Sequence, residues 1–186
     1  VEDTQFDPIR QLPQIVLVTS RDGGNTWSDP VKVSRTPVNA PNPQAICPSV
    51  AVNKYGHVGV LYHDFRKSHT ACTDNTKTNT WFALYEEVKS PNGGSTGIGL
   101  NFKKEVRVSE HSYIIENGPE TGQGVMTNGD YNSLVVRKDD FHALYVQSHH
   151  GPFEPAQTLL DDIDTTGILV LDNNKRTSPF FSKIDA

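Results

Sequence analysis

Apolar and polar positions alternate along most of this chain. Ile15 to Ser20, "IVLVTS", is a short β-branched run, and Asp29 to Ser34, "DPVKVS", alternates apolar and polar residues. "SVAVNKYGHVGVLYHDFR", Ser49 to Arg66, reads strand, turn, strand, and "SLVVRKDDFHALYVQS", Ser133 to Ser148, reads the same way. "WFALYEEV" (Trp81 to Val88) and "KEVRVS" (Lys104 to Ser109) add two strands. "GILVLDNNKRTSPFFSKID", Gly167 to Asp185, adds a hairpin about Asp172-Asn173-Asn174. Period-two alternation bounded by Gly, Asn, Asp and Pro is the mark of half-buried strands. The helical period is absent and only Leu159 to Thr166 is ambiguous, so the pattern predicts an all-β chain.

Two of these units repeat. Val50-Ala51-Val52 aligns with Leu134-Val135-Val136 and, after deletion of one turn residue, Leu61-Tyr62 aligns with Leu144-Tyr145. Between the first two strands lies "SRDGGNTWSDP", Ser20 to Pro30. Its glycines supply positive φ at low cost. Asp22 is expected to accept backbone N–H groups as an Asx-type turn, and Trp27 to fold back and bury its ring. An aspartate locked in its own turn is poorly placed for proton transfer, so Asp22 is read as structural.

Ser20-x-Asp22-x-Gly24-x-x-Trp27 matches the Asp-box, or BNR repeat, at each defining position, and the chain thereby resembles the sialidase-like β-propeller superfamily. A degenerate copy, "SPNGGSTG" (Ser90 to Gly97), puts Asn92 for the Asp and Gly97 for the Trp. The resemblance implies four-stranded antiparallel blades: half a blade over 15–34, a blade over 49–109 and another over 130–185. The spacing from Ser49 to Ser133 is long beside the ~40–50 residues of a usual blade, so insertions are implied. About two and a half blades cannot close a ring of 4–8. The expectation is the C-terminal part of a six- or seven-bladed propeller, completed by a companion chain or an N-terminal segment; a β-sandwich is the alternative. The start at Val1 reads as a processed or nicked terminus, or as an artefact of production.

Composition narrows the function. The 186 residues carry a formal net charge of −5, which lacks the basic footprint of a nucleic-acid binder. No apolar run approaches the ~20 residues of a membrane span. There is no Asn-x-Ser/Thr sequon. Two cysteines are too few for a disulfide scaffold and fit either one bridge in a secreted protein or two thiols. The expected localisation is secreted or extracellular.

The resemblance puts the binding site on the face opposite the Asp-box turn, among 35–48, 64–79, 110–131 and 147–155. Cys47 and Cys72 then share one face of one blade, which suggests a disulfide, with free thiols as the alternative. Arg66 ends a strand, and its planar fork suits the carboxylate of a sialic or uronic acid. Asp64 would orient it or bind sugar hydroxyls; a local Asp–Arg pair is the alternative. Arg35 is the other arginine on this face. Asp130 and Tyr131 open the next blade's innermost strand, where Tyr131 resembles the sialidase nucleophile, with Glu116 or Glu120 as the paired carboxylate. A solvated acidic loop is the alternative there. His149 would be a base in a lyase-type reaction or a sugar contact, against an exposed loop histidine. Phe65, Tyr113, Tyr131 and Phe153 are candidates for stacking on sugar rings. Asp74 and Asn75 offer oxygens without the spacing of a calcium loop, so neither a metal site nor a cofactor is indicated.

The set is incomplete beside an active sialidase: the family's first arginine and its Asp acid/base have no counterpart here. Three functions stand open. One is an exo-glycosidase or uronate-cleaving lyase acting on acidic glycans; another is a lectin that keeps the propeller and its pocket; the third is a scaffold for protein contacts.

Overall fold

The computed structural model describes residues 1–7, 9, 11–37, 39–68, 77–88, 99–109, 112–114, 132–148, 170–172 and 175–185. They form twelve strands and no helix. The strands are β1 (Glu2–Asp3), β2 (Gln14–Leu17), β3 (Val31–Lys32), β4 (Ala45–Val52), β5 (His57–Asp64), β6 (Lys77–Val88), β7 (Gly99–Arg107), β8 (Tyr113–Ile114), β9 (Ser133–Arg137), β10 (Asp140–Ser148), β11 (Val170–Asp172) and β12 (Lys175–Ile184). They make three antiparallel sheets, in the orders β1-β2-β3, β4-β5-β6-β7 and β11-β12-β10-β9, with β8 pairing separately along β6.

The sheets stack face to face because the middle one is apolar on both sides. Along β5, Val58, Val60 and Tyr62 point to the first sheet, where they meet Ile15 and Val33, with Ala83 and Tyr85 of β6 beside them. Leu61, Phe82 and Leu84 point the other way, to Leu134, Phe141, Ala143, Tyr145 and Ile184 of the third sheet. The strand's two-residue period thus feeds two cores from one strand. Gly59 sits where the second core is tightest. A Cβ there would meet the rings of Phe82 and Phe141 at 2.6 Å, and those rings lie 5.2 Å apart.

The pairing gives the stack two distinct ends. At the turn end, Gly56 (φ +81°) lets 53–56 close the β4–β5 hairpin. Asn53 Oδ1 there accepts the N–H groups of Tyr55 and His57, both at 3.0 Å. Lys138 and Asp139 turn β9 into β10 at the same end, and Asn53 Nδ2 donates to the Asp139 carbonyl at 3.2 Å. The Ser20–Pro30 loop is here too, with Arg21 3.5 Å from Glu87 near the end of β6. At the opposite end β4 begins, β5 stops and β6 starts, with Ala45 opposite Asp64 and Asp64 opposite Asn79.

The strand boundaries depart from the sequence pattern in explicable ways. β2 stops at Leu17 because the Thr19 and Ser28 backbones and the Ser28 hydroxyl already close the loop. β6 starts at Lys77, four residues before the expected Trp81, because Lys77, Thr78, Asn79 and Thr80 are polar and therefore silent in the apolar pattern. β1 and β8 have two residues each, too few to show a period.

Candidate functional site

The Asp22 loop closes on side-chain oxygens. Asp22 Oδ1 accepts the Thr26 N–H at 2.9 Å and the Ser20 hydroxyl at 2.8 Å, and Oδ2 accepts the Thr26 hydroxyl at 2.6 Å. Ser20 Oγ accepts the Gly24 N–H at 2.8 Å. Gly23 and Gly24 take φ of +72° and +92°. The Thr26 hydroxyl and N–H and the Ser20 hydroxyl hold the Asp22 carboxyl down at about 2, so it is a fixed anion without a proton to give. The expectation for Trp27 is corrected: the residue is 57% exposed. The indole N–H donates to the Gly24 carbonyl at 3.0 Å, which holds the ring over Gly24 and away from the core.

Polar chemistry collects at the other end. Among the described residues, the buried polar side chains are Gln14, Ser34, Thr36, Asn42, His63, Asp64, Ser68, Thr78, Asn79, Thr80, Ser109 and Gln147 at or beside this end, and Asn53 at the turn end. The alternation of β5 sorts two of them: Asp64 follows Tyr62 toward the first sheet, and His63 follows Leu61 toward the third.

The Asp64 side is an ion-pair cluster. Arg66 Nε donates to Asp64, and Nη1 and Nη2 donate to Glu105 of β7 at 2.7 and 3.1 Å. Nη2 also lies 3.3 Å from the Tyr62 hydroxyl, which itself donates to Glu105. The guanidinium carbon lies over Trp81, 3.8 Å from the ring centre, a cation–π contact. Asp64 also accepts the Thr36 hydroxyl at 2.5 Å. Burial opposes the Arg66 charge, but hydrogen bonds and charges from Glu105 and Asp64 outweigh it and raise its pKa. Burial likewise pushes the Asp64 carboxyl up, against the pull of Arg66 and Thr36. The expected carboxylate fork of Arg66 is therefore filled from within the chain by Glu105. Arg35 is exposed instead, with its guanidinium 3.9 Å from the centre of the Phe102 ring.

The His63 side is a neutral network. Asn132 Nδ2 donates to the Cys47 carbonyl at 2.7 Å and lies 3.2 Å from His63 Nε2. An amide nitrogen only donates, so Nε2 accepts and the proton sits on Nδ1. Nδ1 then donates to the Tyr113 hydroxyl at 2.8 Å, with the Thr80 hydroxyl 3.2 Å away. Burial lowers the His63 pKa to about 4 and raises that of Tyr113. Asn79 Oδ1 accepts the Ser112 hydroxyl at 3.1 Å.

Cys47 occupies a β-bulge with φ +53°. The bulge turns its N–H to the Glu2 carboxylate at 2.7 Å and its carbonyl to Asn132, so the backbone of one residue ties the middle sheet to both others. Its expected partner Cys72 lies outside the described residues, as do Glu116, Glu120, Asp130, Tyr131 and His149. Two of the aromatic candidates are corrected: Phe65 and Tyr113 are buried and offer no ring face to a sugar. Among the described residues no three His, Cys, Asp or Glu side chains gather as for a metal ion, and no helix is long and apolar enough to cross a membrane. Sequence reading missed Glu105, His63 and Asn132. His63 had one local signal, a histidine at an inward position of an otherwise apolar strand.

Comparison with protein-family models, with curated proteins and with solved structures yields no match.

Proposed function

We propose that the three sheets are consecutive units of a sialidase-like β-propeller and that the chain is a carbohydrate-active protein handling acidic glycans at its polar end. One observation carries the reading: buried polar side chains gather at the end of the stack opposite the Asp22 loop. The Asp22 loop itself, closed by Ser20, Thr26 and Gly24, supports the Asp-box resemblance. In this reading a further chain or segment completes the ring, and the protein acts outside the cell. Because the fork of Arg66 is filled by Glu105, the arginine open to a carboxylate is the exposed Arg35, whose backbone adjoins Thr36 at the polar end and whose guanidinium reaches along the sheet to Phe102.

The filled fork also favours a second reading, a lectin that keeps the propeller without a complete catalytic set. Titration calorimetry with matched carboxylated and neutral sugars tests the class. Arg35→Ala is expected to weaken the carboxylated sugar roughly tenfold, the scale of a charge-assisted hydrogen bond, and the neutral one much less. Absence of binding by any acidic or neutral glycan overturns the carbohydrate reading. A hydrolysis and elimination assay on Tyr131→Phe separates its two forms: turnover lost in an enzyme, affinity merely trimmed in a lectin.

A further inference from the structure

The third sheet exposes the face on which the second sheet carries its neighbour. The sequence repeat pairs Leu61-Tyr62 with Leu144-Tyr145, and the structure follows it. Val58, Val60 and Tyr62 face the sheet before them, and so do Phe141, Ala143 and Tyr145 at the matching positions. The cross-strand partners match as well: Leu61 is opposite Phe82, and Leu144 is opposite Phe181. Leu61 and Phe82 are both fully buried, because the third sheet covers them. Leu144 and Phe181 occupy the same two places and are 46% and 61% exposed, with Val135 of β9 beside them at 54%. Lys183 and Asp140 pair at 2.9 Å on the rim. The patch is thus a continuation of an interface the chain has already built once.

We propose that the Leu144–Phe181 face is the docking surface for one further antiparallel β-sheet of the same repeat, carried on polypeptide outside Val1–Ala186. The incoming sheet presents an aromatic-and-small row to Leu144 and Phe181, as Phe141, Ala143 and Tyr145 do to Leu61 and Phe82. The inference rests on reading the sheets as consecutive repeats and is independent of any sugar. The alternation supports it on elementary grounds: the β10 face with Phe141, Ala143 and Tyr145 has lost its water to the second sheet, while the equally apolar face with Leu144 keeps its water until a further layer arrives.

Thiol labelling of Leu144→Cys and Phe181→Cys, each against its unsubstituted parent to remove the Cys47 and Cys72 background, tests it in two forms of the protein. In the 186-residue chain alone both new thiols are expected to react at rates close to that of Tyr55→Cys, an exposed site at the turn end. In the full protein as it is made by its source they are expected to react at least about tenfold more slowly, with Tyr55→Cys unchanged. Cross-links from Lys183 are expected to reach a strand–turn–strand segment outside this sequence. Equal labelling in the two forms overturns the proposal, as does protection in the isolated chain, or a cross-link to a second copy of the same 186 residues. None of these readings depends on glycan binding, so failure here and failure of the carbohydrate reading are told apart.

Discussion

At the scale of single residues, His63 is the group whose placement has the clearest thermodynamic consequence. Its ring is closed in by Asn132, Tyr113 and Thr80, none of which carries charge at neutral pH, and burial lowers its pKa from 6.5 to about 4. Above pH 6.5 the ring is neutral in the folded and the unfolded chain, and it contributes no pH dependence. As pH falls from 6.5 toward 4, the unfolded chain binds a proton that the folded one refuses, so stability falls with pH. The slope is about 1.4 kcal/mol per pH unit, and the loss is about 3 kcal/mol across the window. Below about pH 4 the folded ring takes its proton too, and this contribution levels off. Protonation also removes the lone pair that Asn132 uses, which loosens the contact between the second and third sheets. Urea titrations of the wild type and His63→Gln at pH 7, 6, 5 and 4 measure it. The wild type is expected to lose stability faster than the variant over that range, and parallel curves would show that His63 does not refuse the proton. Asp22 is the opposite case, an exposed carboxylate held as an anion by its loop to about pH 2.

At the scale of elements, the decisive feature is how closely β5 approaches β10. Gly59 gives up a side chain so that the Phe82 and Phe141 rings can occupy the space over its Cα. Neither ring can retreat into solvent, since both are fully buried. Gly59→Ala is therefore expected to cost about 1–3 kcal/mol, the range of an overpacked core, although alanine is the better strand residue of the two. Phe141→Leu alone also destabilises, but in the Gly59→Ala background it makes room, so a double-mutant cycle by chemical denaturation is expected to show favourable coupling. Additive losses would mean that the rings do not meet over Gly59. The strands themselves were legible in the sequence because alternation is a local property, and so was the Asp22 loop, whose closing hydrogen bonds fall within nine residues. The partners of Arg66 and His63 were not. Glu105 lies 39 positions from Arg66, and Asn132 lies 69 from His63. These pairs are set by which strands neighbour one another, and a period-two pattern carries no information about that. Trp27 misled for a related reason: a large aromatic in a turn signals burial, yet its indole N–H found a partner in Gly24 inside the turn.

At the scale of the whole molecule, the order of the sheets makes the middle one the most protected. β5 is hydrogen-bonded to β4 and β6 and lies under a sheet on each face. β10 is equally well paired, to β9 and β12, but among the described residues it carries a neighbour on one face alone. The third sheet is joined to the second by the buried row around Phe141 and by a few polar ties. They include Asn132 to the Cys47 carbonyl and to His63, the Leu134 N–H to Ser49, Asn53 to the Asp139 carbonyl, Lys104 to the Asp185 carbonyl, Lys54 to the Asp139 carboxylate, and the Tyr145 hydroxyl to the Val108 carbonyl. That row can part as a unit and leave β5 still covered by the first sheet and still hydrogen-bonded on both sides. Native-state amide exchange of the 186-residue chain is therefore expected to be slowest at Val58 to His63. The amides of Phe141 to Gln147 are expected to exchange at least about tenfold faster, through an opening smaller than global unfolding. The first sheet, whose β1 and β3 have two residues each, is expected to exchange fastest of the three. Equal protection of β5 and β10 would mean that the second and third sheets open together. The polar ties and the Phe141 row would then have to be strong enough to fuse them into one cooperative unit without a layer beyond Leu144 and Phe181.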